Sequence, residues 1–303
     1  MTAWQKRHTQ RLLNIENSSI VYQFHKSDNV DLLSLTSNLS KCLESIENKE
    51  IYMSNPQGFN DPLDFKINLK NLVDRTPFDI QYIREAMTCL LKSEKLSQYL
   101  LDDYKQQHWL YNKELIRSLQ EWAKFPDQDV TYLQGAFQER IKDFGVACFT
   151  SSWDNMLMWS HYANSHQGFC IEYAVSKFNL ALSEKDFLQF DVQYYSQLPE
   201  LCLTELLFSP HQSISRIFAT KRIEWAYERE WRLVHILNKE KSVNLPEDMK
   251  ASAIIMGAKC TSPIVIKRLN LIANKLDIPL YQSQITQCND FKLNPAYINK
   301  DSA

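Results

Sequence analysis

Two carboxylates and a guanidinium stand on alternate residues in the segment Tyr227-Glu228-Arg229-Glu230-Trp231-Arg232. Read as a strand, the segment projects Glu228, Glu230 and Arg232 from one face and turns Trp231 and Leu233 into a core. Carboxylates two apart on a strand are about 6.6 to 7 Å apart at Cα. Both can then reach one ribose, Glu230 binding a hydroxyl and Glu228 acting as general base. Arg232 would hold Glu230 ionised. The same pattern also describes a solvated strand face with a Glu230–Arg232 pair worth under about 1 kcal/mol.

Other residues upstream have side chains suited to the same task. His25 ends a strand-like run and is followed by Lys26; it can donate to a hydroxyl or phosphate, or be a half-buried histidine bonded to backbone. Tyr52 and Ser54 share a face opposite Ile51 and Met53, where a tyrosine and a hydroxyl can stack on an aromatic base and bond its amide. Asn60-Asp61-Pro62 is a turn signal whose side chains fold back on backbone amides and shape a pocket wall. Asp154 is placed to cap a short helix over 155–163 that carries Asn155, Trp159 and Tyr162 on one face, with His166 joining them if the helix continues. His161 and His166 are five apart, which is wrong for a helical zinc pair at i, i+4, and no metal is expected from them. The aromatics serve equally as core packing.

The elements that must position these residues read as α+β. Residues 19–26 alternate as a first strand, and Leu32, Leu35, Leu39, Leu43 and Ile46 make a helical stripe. Residues 51–54 form a second strand, closed by turn signals. Residues 77–144 read as a helical insertion. Strands follow at 146–151, 169–173, 190–195, 231–236, 253–256 and 278–283, with a helix over 264–276. One domain over residues 1–303 is the simplest organisation. Its 44% hydrophobic and 23% charged residues are ordinary for a folded protein. A net charge of −2 gives no bulk attraction to nucleic acid or anionic lipid. Lys6, Arg7 and Arg11 precede no apolar stretch of signal length, and no window reads as a membrane span, so a cytoplasmic protein is expected. The seven cysteines form no Cys-x-x-Cys pair and fit buried thiols. With no Gly-x-Gly-x-x-Gly or Walker-type loop, a Rossmann or P-loop nucleotide site is not expected.

In order and composition, Tyr22-Gln23-Phe24-His25, the loop from Tyr52 to Pro62, the block from Trp159 to Gly168 and the Glu228–Arg232 segment resemble a large bacterial family of uncharacterised proteins. The resemblance runs over about 22–291. A more distant similarity is to ADP-ribosyltransferases: a basic residue on a first strand, a Tyr or Ser on a second, and a late Glu-x-Glu strand. That similarity implies a split, mixed or antiparallel sheet holding NAD as substrate in a cleft. His25 or Lys26 would hold a ribose or phosphate. Tyr52 and Ser54 would contact nicotinamide and its ribose. Glu230 would be catalytic, with Glu228 orienting the acceptor. The Asn60-Asp61 loop, Trp159, His161, Tyr162, His166 and Arg232 would complete the cofactor side. The expected activity is ADP-ribosyl transfer to a protein or nucleic-acid acceptor, or NAD glycohydrolysis, in a toxin or phage-defence effector.

Two other readings stay open. One is a non-catalytic binding or regulatory module, with the charged strand in a structural polar network and Trp153, Trp159, Trp225 and Trp231 as core anchors. The other is a nucleic-acid hydrolase with Asp61, Asp64, Glu228 and Glu230 around a divalent metal. The enzyme reading requires His25, Tyr52, Trp159 and Glu230 to line one hollow.

Overall fold

The computed structural model describes residues 5–11, 18–27, 37–66, 68–70, 131–176, 187–197, 199–202, 210–235, 242–286 and 291–296. Its centre is a mixed eight-stranded sheet in the order β14-β13-β12-β5-β1-β4-β10-β6. The strands are β1 (Ser18–His25), β4 (Gly145–Thr150), β5 (Phe169–Ser176), β6 (Phe187–Asp191), β10 (Glu230–His235), β12 (Met249–Met256), β13 (Leu280–Ile285) and β14 (Phe291–Pro295). Neighbours pair antiparallel except β12 and β13, which are parallel and joined through a helix, as a parallel crossover requires. Smaller pairs stand beside the sheet: β2 (Glu50–Tyr52) with β11 (Ser242–Asn244), β3 (Asn68–Lys70) with β8 (Glu200–Cys202), and β7 (Gln193–Tyr195) with β9 (Thr220–Arg222).

Alternation along the strands sorts residues onto two faces. Val21, Ala147, Phe149, Ile171, Tyr173, Leu233, Ile254 and Met256 belong to one core, which is covered by α1 (Ser37–Glu47) and α5 (Pro263–Leu276). α1 contributes Leu39, Leu43 and Ile46 at helical spacing, and α5 contributes Val265, Leu269, Ile272 and Ala273. Pro263 opens α5 at a position where no N–H is needed, and Asp277, at φ 54°, ends it by donating to Ala273 and Asn274 carbonyls. The opposite face carries Tyr22, Cys170, Ala253, Ile255 and Tyr281, packed against Trp159 and Ala163. On this side stand α3 (Met156–Tyr162) and, through the Phe218 carbonyl at Arg232, the end of α4 (Pro210–Phe218), while α2 (Thr131–Ile141) packs against β3. No helix among the described residues is long and apolar enough to cross a membrane.

The α+β class holds, and several boundaries move. Residues 190–195 divide between β6 and β7, which belong to different sheets. Residues 51–54 become β2 plus a separate bridge between Ser54 and Val146. β14 had no signal in the sequence. Of the helical insertion, α2 is described; 71–130 lie outside the described residues, as do Leu32 and Leu35. The cap of α3 is Asn155 rather than Asp154: its side chain accepts from Leu157 N at 2.9 Å and Met158 N at 3.3 Å.

After α3 the chain takes three successive left-handed residues, Asn164 (φ 48°), Ser165 (φ 53°) and His166 (φ 72°). Cross-bonds lock this turn: Asn164 Nδ2 donates to Ser27 O at 2.8 Å, Gly168 N to Ala163 O at 2.8 Å, and Gly257 N to Gly168 O at 2.8 Å. A Cβ on Gly168 would lie 2.1 Å from His25 O, and one on Gly257 would lie 2.2 Å from His166 O. Both clashes are with backbone, which cannot swing aside. Gly168→Ala is therefore expected to destabilise the protein by about 3 kcal/mol or more in urea unfolding. Gly135→Ala, in α2 with nothing within 4 Å of its Cβ, is the contrasting case and should stabilise by up to about 1 kcal/mol.

Candidate functional site

The charged segment folds differently from a plain strand. Residues Ile223–Glu228 form a 3-10 helix, Arg229 follows in the left-handed region at φ 44°, and β10 begins at Glu230. Glu230 and Arg232 share a strand face as expected. Glu228 joins them because the left-handed step at Arg229 swings its side chain back toward β9, not through i, i+2 alternation.

The three side chains meet in a buried ion cluster. Arg232 has no exposed surface. Its Nε donates to Glu230 Oε1 at 2.7 Å, its Nη2 to Asp64 Oδ2 at 2.7 Å and Glu230 Oε2 at 3.1 Å, and its Nη1 to Phe218 O at 2.9 Å. Its guanidinium carbon lies 4.5 Å from the Phe65 ring centroid. Lys221, on β9, is the second cation, 2.5 Å from Glu228 Oε2, 3.0 Å from Glu230 Oε2 and 3.7 Å from Asp64 Oδ2. Tyr162 donates to Glu228 Oε1 at 2.5 Å, and the Glu230 N–H donates to the Tyr194 hydroxyl at 2.8 Å. Asp64 arrives on the Asn60-Asp61-Pro62 loop, where Asp61 Oδ1 accepts from Leu63 N at 2.9 Å and Asp64 Oδ1 from Phe65 N at 3.0 Å.

Burial and charge act in opposite senses here. Burial pushes Glu230 up, but Arg232 and Lys221 outweigh it and hold the carboxyl at about 2. Burial also opposes the Lys221 and Arg232 cations, yet the facing carboxylates keep both protonated well into alkaline pH. Three carboxylates against two cations leave one negative charge in excess. Its effect falls on Asp64 and Glu228, whose carboxyls burial raises despite Arg232 and Lys221 respectively. Burial and Glu228 raise Tyr162, and burial followed by Glu230 raises the Cys148 thiol. The carboxylates expected to surround a divalent cation, Asp64, Glu228 and Glu230, instead surround the Lys221 ammonium. Asp61 is engaged in its own turn.

Glu228, 3% exposed, is as buried as Glu230 at 6%. Beside its partners Tyr162 and Lys221 stand the half-buried rings of Trp225 and Tyr227 and the exposed His161. Lys221 Nζ is 5.0 Å from the Trp225 centroid, Trp225 and Tyr227 are 6.1 Å apart, and His161 lies 6.1 Å from Tyr227. Asn155 Nδ2 donates to Tyr227 O, tying α3 to this turn.

Several expected site residues are elsewhere. Register puts Glu230 opposite Thr150 and Thr150 opposite Tyr22, on the Tyr22 face. His25, odd-numbered like Val21, points to the other face, stacking on Phe169 at 5.1 Å with its Nδ1 3.1 Å from Cys42 Sγ. Burial lowers His25 to about 4 and raises Cys42 to about 12, so both are neutral at pH 7. A neutral imidazole behind the sheet cannot hold a phosphate at Glu230. Lys26, next to it, is exposed. Tyr52 is 41% exposed on β2. Ser54 bridges to Val146, four residues along β4 from Thr150, which is about 13 Å and on the other side of that strand from Glu230. Trp159 and His166 stack with ring centroids 6.0 Å apart, and His166 and Phe291 with centroids 6.2 Å apart, in a separate aromatic core. Asn60 is exposed on its loop. Glu228, Glu230, Arg232, Tyr162 and His161 are thus brought together; His25, Lys26, Tyr52, Ser54, Trp159 and His166 are not. The sequence reading missed Lys221, Tyr194, Trp225 and Tyr227 as cluster members. Only the Lys-Arg and Trp-x-Tyr composition just before Glu228 hinted at them.

Fold and cluster define an α+β protein built on a mixed sheet, with an internal five-ion network flanked by aromatic rings. Residues 158–233, from α3 through β10, match the family described as Protein of unknown function (DUF2971), so the expected family of uncharacterised proteins is met over this stretch. The matched stretch includes Tyr162, Lys221, Glu228, Glu230 and Arg232. No curated protein and no solved structure matches the chain.

Arg232→Met is expected to cost about 3–5 kcal/mol in denaturant unfolding, since it leaves Glu230 and Asp64 buried without their main partner. Glu230 titrates lower folded (about 2) than its ordinary 4.5. Its contribution is therefore full above pH 4.5 and lost as pH falls through the window toward 2. Stability measured across that window should fall less steeply in Glu230→Gln than in the parent protein.

Proposed function

We propose that the protein breaks the nicotinamide–ribose bond of NAD, passing the ADP-ribosyl group to an acceptor or to water, with Glu228 rather than Glu230 meeting the substrate. The observation that supports this is the Glu228 carboxyl, bonded to Tyr162 and Lys221, with Trp225 against Lys221 and Tyr227 and His161 next in line. Tyr162 and Lys221 each bond a different oxygen, and a carboxylate oxygen accepts twice, so Glu228 retains acceptor capacity for a ribose hydroxyl. Glu230 faces Arg232, Lys221 and the Cys148 side chain, and its role is to position Lys221.

In this reading the glycosidic C–N bond breaks with its electron pair leaving on nicotinamide. The oxocarbenium-like ribose is stabilised by the Glu228 negative charge. The acceptor hydroxyl or water attacks C1′ and gives up its proton to Glu228, whose carboxyl burial raises and so makes a stronger base than a free glutamate. The aromatic rim supplies stacking surfaces for nicotinamide or adenine. His25, Lys26, Tyr52 and Ser54 have no role at that bond. An ADP-ribosyltransferase-like sheet and a cytoplasmic toxin or phage-defence role, acting on a protein or nucleic-acid acceptor, belong to the same proposal; the fold-level part is analogy.

A second reading, a non-catalytic binding or regulatory module, is favoured by one observation: all five cluster charges are almost wholly buried and mutually paired. The two readings separate on one experiment. Nicotinamide release from NAD is expected from the purified protein, dropping about 10²-fold or more in Glu228→Gln and Tyr162→Phe with the melting temperature held. No release, with variants that alter only melting, leaves the binding module standing.

A further inference from the structure

Among the buried polar side chains outside the ion cluster, two that lie at one end of the sheet are incomplete. His166 is 6% exposed and Ser283 2% exposed, and neither His166 Nδ1 nor Ser283 Oγ has a hydrogen-bond partner among the described residues. Buried polar groups of this kind call for a ligand or a water to complete them. Register brings the two together. His25, Phe169, Met256 and Gln282 pair across β1, β5, β12 and β13, so the next row toward this end is Lys26, Gly168, Gly257 and Ser283. The bond from Gly257 N to Gly168 O carries the pairing into that row.

The two glycines of this row make a flat bed for the left-handed turn. A Cβ on Gly168 would also meet Ala163 Cα and O at 3.0 Å, and one on Gly257 the His166 carbonyl carbon at 2.7 Å. From its seat over Gly257, just past β12, the His166 side chain reaches Phe291 on β14, stacking between Trp159 and Phe291 at interplanar angles of 12° and 17°. The ring therefore crosses β13, whose residue in that row is Ser283. Side chains alternate along β13, and Ser283 shares the face of Tyr281, the face on which Trp159 packs. Three successive non-glycine residues in the left-handed region persist only where their surroundings over-determine them, and such residues gather at ligand sites. Here they fix one imidazole over one hydroxyl.

The electrostatic surroundings select the kind of ligand. Burial, followed by the Lys259 ammonium, holds His166 below its ordinary range, so the ring is neutral at pH 7. Lys259 is exposed, and its backbone N–H donates to His166 O at 2.9 Å. A neutral ring with its proton on Nδ1 and a serine hydroxyl can both donate. The group between them is then an acceptor, and the nearby ammonium favours one that is negative. We infer that His166, Ser283 and Lys259 form an oxyanion site for a carboxylate or phosphate group of a small ligand, with one oxygen shared between His166 Nδ1 and Ser283 Oγ and the charge toward Lys259. The site stands apart from the NAD reading, whose chemistry is at Glu228.

The test uses the full chain with isotope-labelled histidine rings, titrated with sodium phosphate and with sodium acetate against sodium chloride of equal ionic strength. Phosphate or acetate, and not chloride, is expected to raise the melting temperature and to move the His166 Nδ1 resonance, identified by its loss in His166→Asn. A response to phosphate alone marks a phosphoryl ligand, and one to acetate a carboxylate. Affinity should fall about tenfold or more in Ser283→Ala and in Lys259→Met, the loss expected from one interaction with a charged group. Without anion, Ser283→Ala should melt no lower than the parent protein, because it removes a hydroxyl that the fold leaves unpaired. If His166→Asn does not fold, the other two variants carry the test through melting temperature. Equal responses to all three salts, no response to any, or affinity unchanged in both variants overturns the inference. Ser283→Ala melting lower without anion overturns it too, and assigns the place between the two side chains to an internal water.

Discussion

The guanidinium of Arg232 is the constraint on which this molecule turns. A charge with no exposed surface is tolerable only when its donors find partners. Here Nε, Nη1 and Nη2 find them in Glu230 on the same strand, the Phe218 carbonyl at the end of α4, and Asp64 on a loop distant in sequence. Satisfying one side chain thus brings together β10, α4 and the 59–65 turn. Glu230, once held by Arg232, presents its second oxygen to Lys221, and Lys221 in turn receives Glu228. Each later position in the cluster follows from the one before.

That arrangement divides two carboxylates of similar sequence setting into different roles. Glu230 is held ionised by two cations, which makes it a fixed anchor. Glu228, at the end of a 3-10 helix, has a carboxyl raised by burial and bonded to the Tyr162 hydroxyl. Environment rather than residue type separates them, as it does wherever paired carboxylates are tuned apart. The match to the uncharacterised family covers this region and not the 59–65 turn, so Asp64 enters the cluster from outside the matched stretch.

The sheet carries a second buried ion pair, Arg11 on Glu172, in the same cross-strand row as Glu230. Buried charges on one face also define register. A slip of one residue would turn Glu172, Glu230 and Arg232 into the core of Phe149, Leu233 and Ile171, at the full cost of unpaired charge. Polar contacts inside the sheet therefore constrain which residue pairs with which, beyond any net gain in stability they make.

Periodicity and turn chemistry are local properties, and they made much of the fold legible. The strands at 19–26 and 169–173, the stripe Leu39-Leu43-Ile46, the helix over 264–276 and the burial of Ile51 and Met53 opposite Tyr52 follow from apolar spacing, which depends only on near neighbours. The Glu230–Arg232 face was legible for the same reason. What the sequence could not specify was which segments converge. Whether His25 and Glu230 share a face depends on the β5-β1-β4-β10 register, Lys221 reaches the cluster through a two-stranded pair with no periodic signal, and Glu228 joins it only because Arg229 adopts a left-handed turn. By itself the sequence determined an α+β chain with a charged, aromatic-flanked segment near residue 230. The tertiary structure alone decided that those charges are internal and paired, because burial and long-range pairing set the state of a carboxylate and neither is a property of its neighbours in the chain.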